Sequence, residues 1–280
     1  MSLSFCRTLV IWFLHNTFGP RHRGIRPRRP FSHKGRIHRA SDCLACESRG
    51  PLRAKDSAFF GFATQELFAP IGPDYIPGHA HGDIFSFELS LKGHRVITDS
   101  GVRDYQPGPM RDYCRSTKAH NTVEIEGQDQ CEFWGTFRVA RRGRPLDVAW
   151  RPSVRGFRLA GRHDGYRRLR GAPEHQRTFN WNKPDDLAVT DEITSARHVT
   201  AISRLHLHPS CQVEDISKTH ALISYPAGKF EIRFTGPGQL SQEESFYSPE
   251  FGVLEKRTAL AFSAHGAKIK TGFAISPRRR

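Results

Sequence analysis

The densest chemistry in the chain lies in Gly78-His-Ala-His-Gly-Asp83, where two histidines one residue apart precede a carboxylate. Downstream stand Asp99, at the end of HRVITDS (94–100), and His120, in AHN at the start of NTVEIEG (121–127). Alternate residues of a strand share a face, so a strand through this stretch would line up His79, His81 and Asp83 with Phe85. A loop leading into a strand can make the same groups converge. Three chemistries fit these residue types. His81, Asp99 and His120 have the nitrogen and oxygen donors that zinc takes. His81-Gly82-Asp83 with a distant histidine imitates the two-histidine, one-carboxylate face of non-haem iron sites. The histidines can also act as acid and base near neutral pH.

The elements that must position these groups read as short strands. FSFELSL (85–91), HRVITDS (94–100), NTVEIEG (121–127), TFRVARR (136–142), LAVTDEIT (187–194), SRLHLH (203–208), HALISYP (220–226) and KFEIRFTG (229–236) alternate polar with apolar residues between Gly, Pro, Asn and Asp. No helix-period segment is long enough to build a helical domain. The expected fold is all-β, an antiparallel β-sandwich. The domain reading is a basic segment over 1–50, disordered or mis-framed, followed by one sandwich domain over 51–280.

Charge separates these two parts. Residues 1–50 hold ten Lys and Arg against two acids, +8, which leaves 33 − 26 = +7 for the other 230 residues. Composition of the first kind cannot bury a core. The short apolar run Leu9 to Leu14 resembles a weak signal-peptide core without a small-residue cleavage site. An overall charge of +15 suits polyanions in general, whether nucleic acid, anionic lipid or acidic polysaccharide, and the basic segment alone gives no reason to expect a specific nucleic acid. No run approaches eighteen apolar residues, so no transmembrane segment is expected. Six cysteines show no framework spacing, and Cys43-Leu-Ala-Cys46 lacks the second pair that a zinc ribbon needs. Oligomeric state is not legible.

Taken together, PIGPDYIPGHAHGDIFSFELSLKGHRVITDSGVRDY, RSTKAHNTVEIEGQDQCEFWGTFRVARR, GRHDGYRRL, HQRTFNW, LAVTDEIT, SRLHLHP and YSPEFG resemble the C-terminal β-sandwich domain of the heparinase II/III family of polysaccharide lyases, over roughly residues 50–276. The joined pattern HxHxD…DSG…AHN carries the likeness. The resemblance implies cleavage of uronate-containing acidic polysaccharide by β-elimination, in the periplasm or outside the cell. It implies His79 as an active-site histidine and favours structural Zn2+ over iron, held by His81, Asp99 and His120, with Asp83 in support. Tyr105 is expected as a catalytic tyrosine; Tyr113 lies near the same position and reads equally as a packing residue. Asn121 reads as a turn residue bonding backbone. Arg138, Arg141 and Arg142 could meet an anionic sugar or simply coat an exposed strand. Family members carry an N-terminal (α/α) toroid that supplies most of the catalytic groups, for which residues 1–50 leave no room. The chain is therefore expected to be inactive or weak as a lyase by itself. The alternative expectation is a non-catalytic, zinc-containing carbohydrate-binding or interaction module. The segment DSAFFGFATQELFA (56–69) departs from the smooth strand expected there.

Overall fold

Two very long antiparallel strands form the spine of the structure, a computed structural model that describes residues 60–62, 71–72, 77–182 and 186–278. In chain order the strands are β1 (Phe60–Phe62), β2 (Leu89–Leu91), β3 (His94–Ile97), β4 (Val123–Ile125), β5 (Pro145–Ser153), β6 (Gly156–His163), β7 (Glu174–Asn182), β8 (Asp186–His206), β9 (Gln212–Ile216), β10 (His220–Tyr225), β11 (Gly228–Thr235), β12 (Gly238–Tyr247) and β13 (Glu255–Pro277). One α-helix, α1 (Pro109–Arg115), lies between β3 and β4. The larger sheet runs β5-β6-β7-β8-β13-β11-β10-β9, with β12 added to β13 and β4 to β8; β1-β2-β3 form a small second sheet. Every pairing is antiparallel. The basic segment 1–50, its apolar run and Cys43–Cys46 lie outside the described residues.

The sheet becomes a sandwich because β8 and β13 bend together. Their register jumps from Thr194↔Lys268 to Val199↔Gly266, and such an irregularity bends a strand pair and raises its twist. The core then gathers side chains from both halves of each spine strand: Val189 and Leu205 from β8, Phe262 and Phe273 from β13. Phe234, beside Phe273, stacks on Phe262 at 5.0 Å between ring centroids. Truncating Phe262, 1% exposed, costs about 3–5 kcal/mol, because buried apolar surface is lost and a cavity is left behind.

Several expectations change. The strands expected at 187–194 and 203–208 are two ends of β8; the exposed polar stretch between them, which reads as a loop, is the bend. Residues 136–142 are not a strand. They fold back on 132–134 through one bridge, Phe133↔Val139, because no neighbouring strand among the described residues is present to extend a ladder. Strands β5, β6, β7, β9, β12 and β13 escape the sequence reading, since charged exposed faces and glycines mask their alternation. Helix α1 escapes it too: seven residues are two turns, too few for a visible period. Within 56–69, Phe60–Phe62 forms an edge strand on β2, and 63–70 lie outside the described residues. Among the described residues no helix is long and apolar enough to cross a membrane.

Candidate active site

GHAHGD is a loop, not a strand. Pro77–His79 make a single 3-10 turn, and regular strand begins only at Leu89. Glycine is needed within it: a Cβ on Gly82 would stand 2.5 Å from Thr117 Oγ1 and 3.2 Å from Thr117 N. Two arginines one helical turn apart on α1 hold the loop. Arg111 donates from Nη2 to Gly78 O (3.1 Å), and Arg115 donates from Nε to Ala80 O (3.1 Å), so the carbonyls on either side of His79 are both tied down. Arg115 also bonds Gly135 O and Thr136 O (2.7 Å each), drawing in the next loop.

His79 itself is exposed. Its ring meets the half-buried Tyr105 edge-on at 4.8 Å and Phe137 at 6.4 Å. The Arg111 guanidinium lies 5.1 Å from the Tyr105 ring centroid and 5.8 Å from that of Phe137, within cation–π range. Tyr105 also meets the exposed Phe251 at 5.6 Å. The two expected catalytic residues therefore form one aromatic, water-accessible surface above a buried cation.

Behind this surface the structure brings together His81, Asp99 and His120, all buried. His120 Nδ1 and Asp99 Oδ2 are 2.6 Å apart, and the rings of His81 and His120 are 5.3 Å apart. Burial pulls the His120 imidazole down, but the Asp99 carboxylate outweighs it and leaves the pKa raised. Burial pushes Asp99 up, and His120 reverses this and holds it below the usual carboxylate range. His81 is lowered well below its ordinary value, by burial and then by the adjacent His120, so it is a neutral imidazole. His120 Nε2 is buried with no hydrogen-bond partner. Asp99 is held from both sides of its backbone: its N–H donates to Glu88 Oε1 (2.9 Å), and its carbonyl accepts from Arg257 Nη1 (3.0 Å). Among the described residues no set of three or more His, Cys, Asp or Glu side chains stands arranged to hold a metal ion. What stands there is an ion pair with a neutral imidazole beside it.

The remaining sequence candidates divide clearly. Asn121 does bond backbone, but across three segments of chain: Nδ2 donates to Phe87 O (2.8 Å) and Thr98 O (3.1 Å), and Oδ1 accepts from His206 N (2.7 Å). Tyr113 points away, its hydroxyl 2.9 Å from Ser245 Oγ, which makes it a packing residue. Asp83 is half-buried and adds to the field that raises His120. Arg138 is exposed, Arg141 pairs with Glu132 at the surface, and Arg142 bonds Ile71 O (3.0 Å). Sequence reading missed Arg111, Arg115, Arg177 and Arg257. Their only signal is the Arg111/Arg115 spacing inside a helix too short to recognise. Arg177 Nη1 donates to Phe85 O (3.0 Å) and Asn121 O (2.7 Å), which joins the loop to the sandwich core. The buried Cys114, Cys131 and Cys211 are unreactive; burial pushes the Cys131 thiol up to about 12 and Cys211 to about 11.

The model of the heparinase II/III-like C-terminal domain matches residues 68–276. The chain belongs to this family. No curated protein matches it in sequence. Among solved structures the domain is similar to a heparinase III gene product (TM-score 0.63, 17% identity, 83% of this chain and 38% of that one). It is also similar to the heparan sulfate lyase HepC from Pedobacter heparinus (TM-score 0.60, 20% identity, 76% and 33%) and to another heparinase III (0.61, 17%, 74% and 32%). At these identities the likeness establishes a shared fold. The chain spans between about a third and two fifths of the length of these proteins.

Proposed function

We propose that this domain forms one side of the active site of a polysaccharide lyase acting on uronate-containing acidic polysaccharide. The observation that carries the reading is the exposed His79 set edge-on against Tyr105, above the buried Arg111. In β-elimination a base removes the proton on the carbon next to the uronate carboxylate, the bond to the O4 glycosidic oxygen breaks, and O4 takes up a proton. A carbon–carbon double bond forms, and no water is consumed. His79 and Tyr105 are the two proton-carrying groups at the surface, suited to the base and acid roles. The negative charge that develops at the carboxylate is the larger difficulty, so electrostatic stabilisation contributes most to lowering the barrier. Arg111 and Arg115 serve that need, because they bond carbonyls of the loop that carries His79 and form no ion pair among the described residues.

His81, Asp99 and His120 are proposed to hold zinc. Two features support this: His81 is neutral, as a ligand must be, and His120 Nε2 is buried without a partner. Zinc there would brace the loop that carries His79, a structural role, since elimination requires no activated water. A polymeric substrate supports a location in the periplasm or outside the cell. The domain by itself is expected to turn over weakly or not at all, with further catalytic groups supplied by the rest of a lyase.

The test is product chemistry. The intact lyase acting on heparan sulfate or a polyuronate should release unsaturated uronates that absorb in the ultraviolet, and His79→Ala should remove this activity. Products with hydrated, saturated ends would overturn the reading.

A further inference from the structure

The hairpin β5–β6 ends the larger sheet, β6 pairing with β7 along its whole length; it runs from Pro145↔His163, where His163 packs on Phe85 of the site loop (5.2 Å), to a tip at Ser153↔Gly156. At about 3.3 Å per residue the tip lies about 25 Å from its root. β5 ends the sheet order, and most of its residues are exposed. Three features coincide on it. Trp150 is 44% exposed, and its ring is backed by Phe157 (4.6 Å), itself backed by Trp181 (5.6 Å). Arg151 stands directly opposite Arg158, both exposed, with Arg155 exposed at the turn beside the 94% exposed Val154. None of these three arginines forms an ion pair among the described residues, whereas Arg162 on the same hairpin pairs with Glu174 (2.9 Å).

Like charges directly opposite each other across two strands are unfavourable. Protection of an open sheet edge accounts for Pro152, the bulge near Asp147 and Arg151 on the outer strand. It does not account for Arg158, which lies on the inner strand, or for an exposed tryptophan. Both follow if an anionic, ring-bearing polymer lies along the outer edge of β5. Side chains alternate across that edge, so such a ligand meets Trp150 on one side and Arg151 on the other, with Arg158 and Arg155 adding charge.

We propose that the β5–β6 hairpin is a second glycan-binding site, separate from the His79–Tyr105 surface, at which an acidic polysaccharide stacks a sugar face on Trp150 and places its carboxylate or sulfate groups on Arg151, Arg155 and Arg158. This rests on the reading of the protein as acting on an acidic glycan. Its use is to retain the polymer beside the active site between cleavages.

Heparin affinity of the full chain, measured calorimetrically at several salt concentrations, tests it. The R151S/R158S double variant should lose about tenfold or more in affinity and show a shallower salt dependence, because fewer counterions are released. Trp150→Ala should lose roughly three- to tenfold with the salt dependence unchanged. The charge-matched control R197S/K268S, at the exposed spine bend, should bind as the unaltered chain does, and neutral dextran should not bind. All altered residues are exposed, and unchanged thermal unfolding confirms that each variant folds. Unchanged heparin affinity in both hairpin variants would overturn the proposal, as would an equal loss in the control. Hairpin-dependent binding to phosphatidylglycerol vesicles in place of heparin would also overturn it, in favour of a membrane surface. Failure of the unaltered chain to bind heparin or polyuronate would reject this site while leaving the lyase reading to its own product test.

Discussion

Two buried histidine pairs, each beside an aspartate, do different things in this molecule. In the sandwich, Gly165 N–H donates to His163 Nδ1 (3.2 Å), His163 Nε2 meets His175 Nδ1 (3.0 Å), and His175 Nε2 meets Asp191 Oδ1 (2.7 Å). The network assigns both rings as neutral, each with its proton on Nε2. Arg177 completes it with bonds of 2.7 and 2.8 Å to the two Asp191 oxygens. Every nitrogen of both rings is used. In the site loop, His81, His120 and Asp99 are the same residue types at similar burial, yet His120 Nε2 is left over. An orphaned donor or acceptor in the interior costs free energy, and persists where a ligand or function requires it. The saturated cluster leaves no ring nitrogen over, and the other leaves His120 Nε2.

The largest effect should come from breaking the saturated cluster. Arg177→Met leaves the Asp191 charge buried without its main partner and should cost about 3–5 kcal/mol, read from urea unfolding. A loss under about 1 kcal/mol would mean that the ion pair is not what organises this region. Metal content separates the clusters next. The purified chain should carry one zinc that His120→Ala abolishes and His163→Ala leaves in place; zinc retained in His120→Ala would remove the difference between the two clusters.

Acid should act with opposite signs on the His163–His175 pair and on His120. Burial lowers the pKa of His163 and of His175, so below the unfolded value near 6.5 the unfolded chain binds protons that the native state refuses. Their contribution is present above that pH and is lost as pH falls, by up to about 1.4 kcal/mol per pH unit for each histidine. In metal-free protein His120 has a raised pKa, so its contribution is full below 6.5 and is lost as pH rises through the folded value. The unfolding free energy of His163→Phe should therefore fall less steeply between pH 7 and 5 than that of the unaltered chain. An equal slope would show that His163 titrates normally. The smallest effect concerns His79: being exposed, it should change stability on truncation by within about 0.5 kcal/mol, whatever it does to catalysis.

The sequence reading succeeded where chemistry is written in residue types. Two histidines spaced by one, DSG and AHN named the family and the residues that converge, and alternation named the fold class. It failed at backbone tasks. Nothing about Arg111 or Arg115 in sequence distinguishes them from the surface arginines Arg138 and Arg141, because the property that matters is which carbonyl each one reaches. Tyr105 and Tyr113 looked alike for the same reason. Only the path of the chain sends one to His79 and the other to Ser245.

By itself, then, the sequence determined an antiparallel β domain and singled out the histidines and aspartate that converge in it, since alternation and residue type are local properties. The tertiary structure alone decided that GHAHGD is a loop, that β8 and β13 bend into a sandwich, and that His79 faces water while His81 does not. It also decided which histidine pair is saturated. Those outcomes depend on register and on distant partners, Arg177 being 92 residues from Phe85 and Arg257 158 from Asp99, and no local pattern encodes such partners.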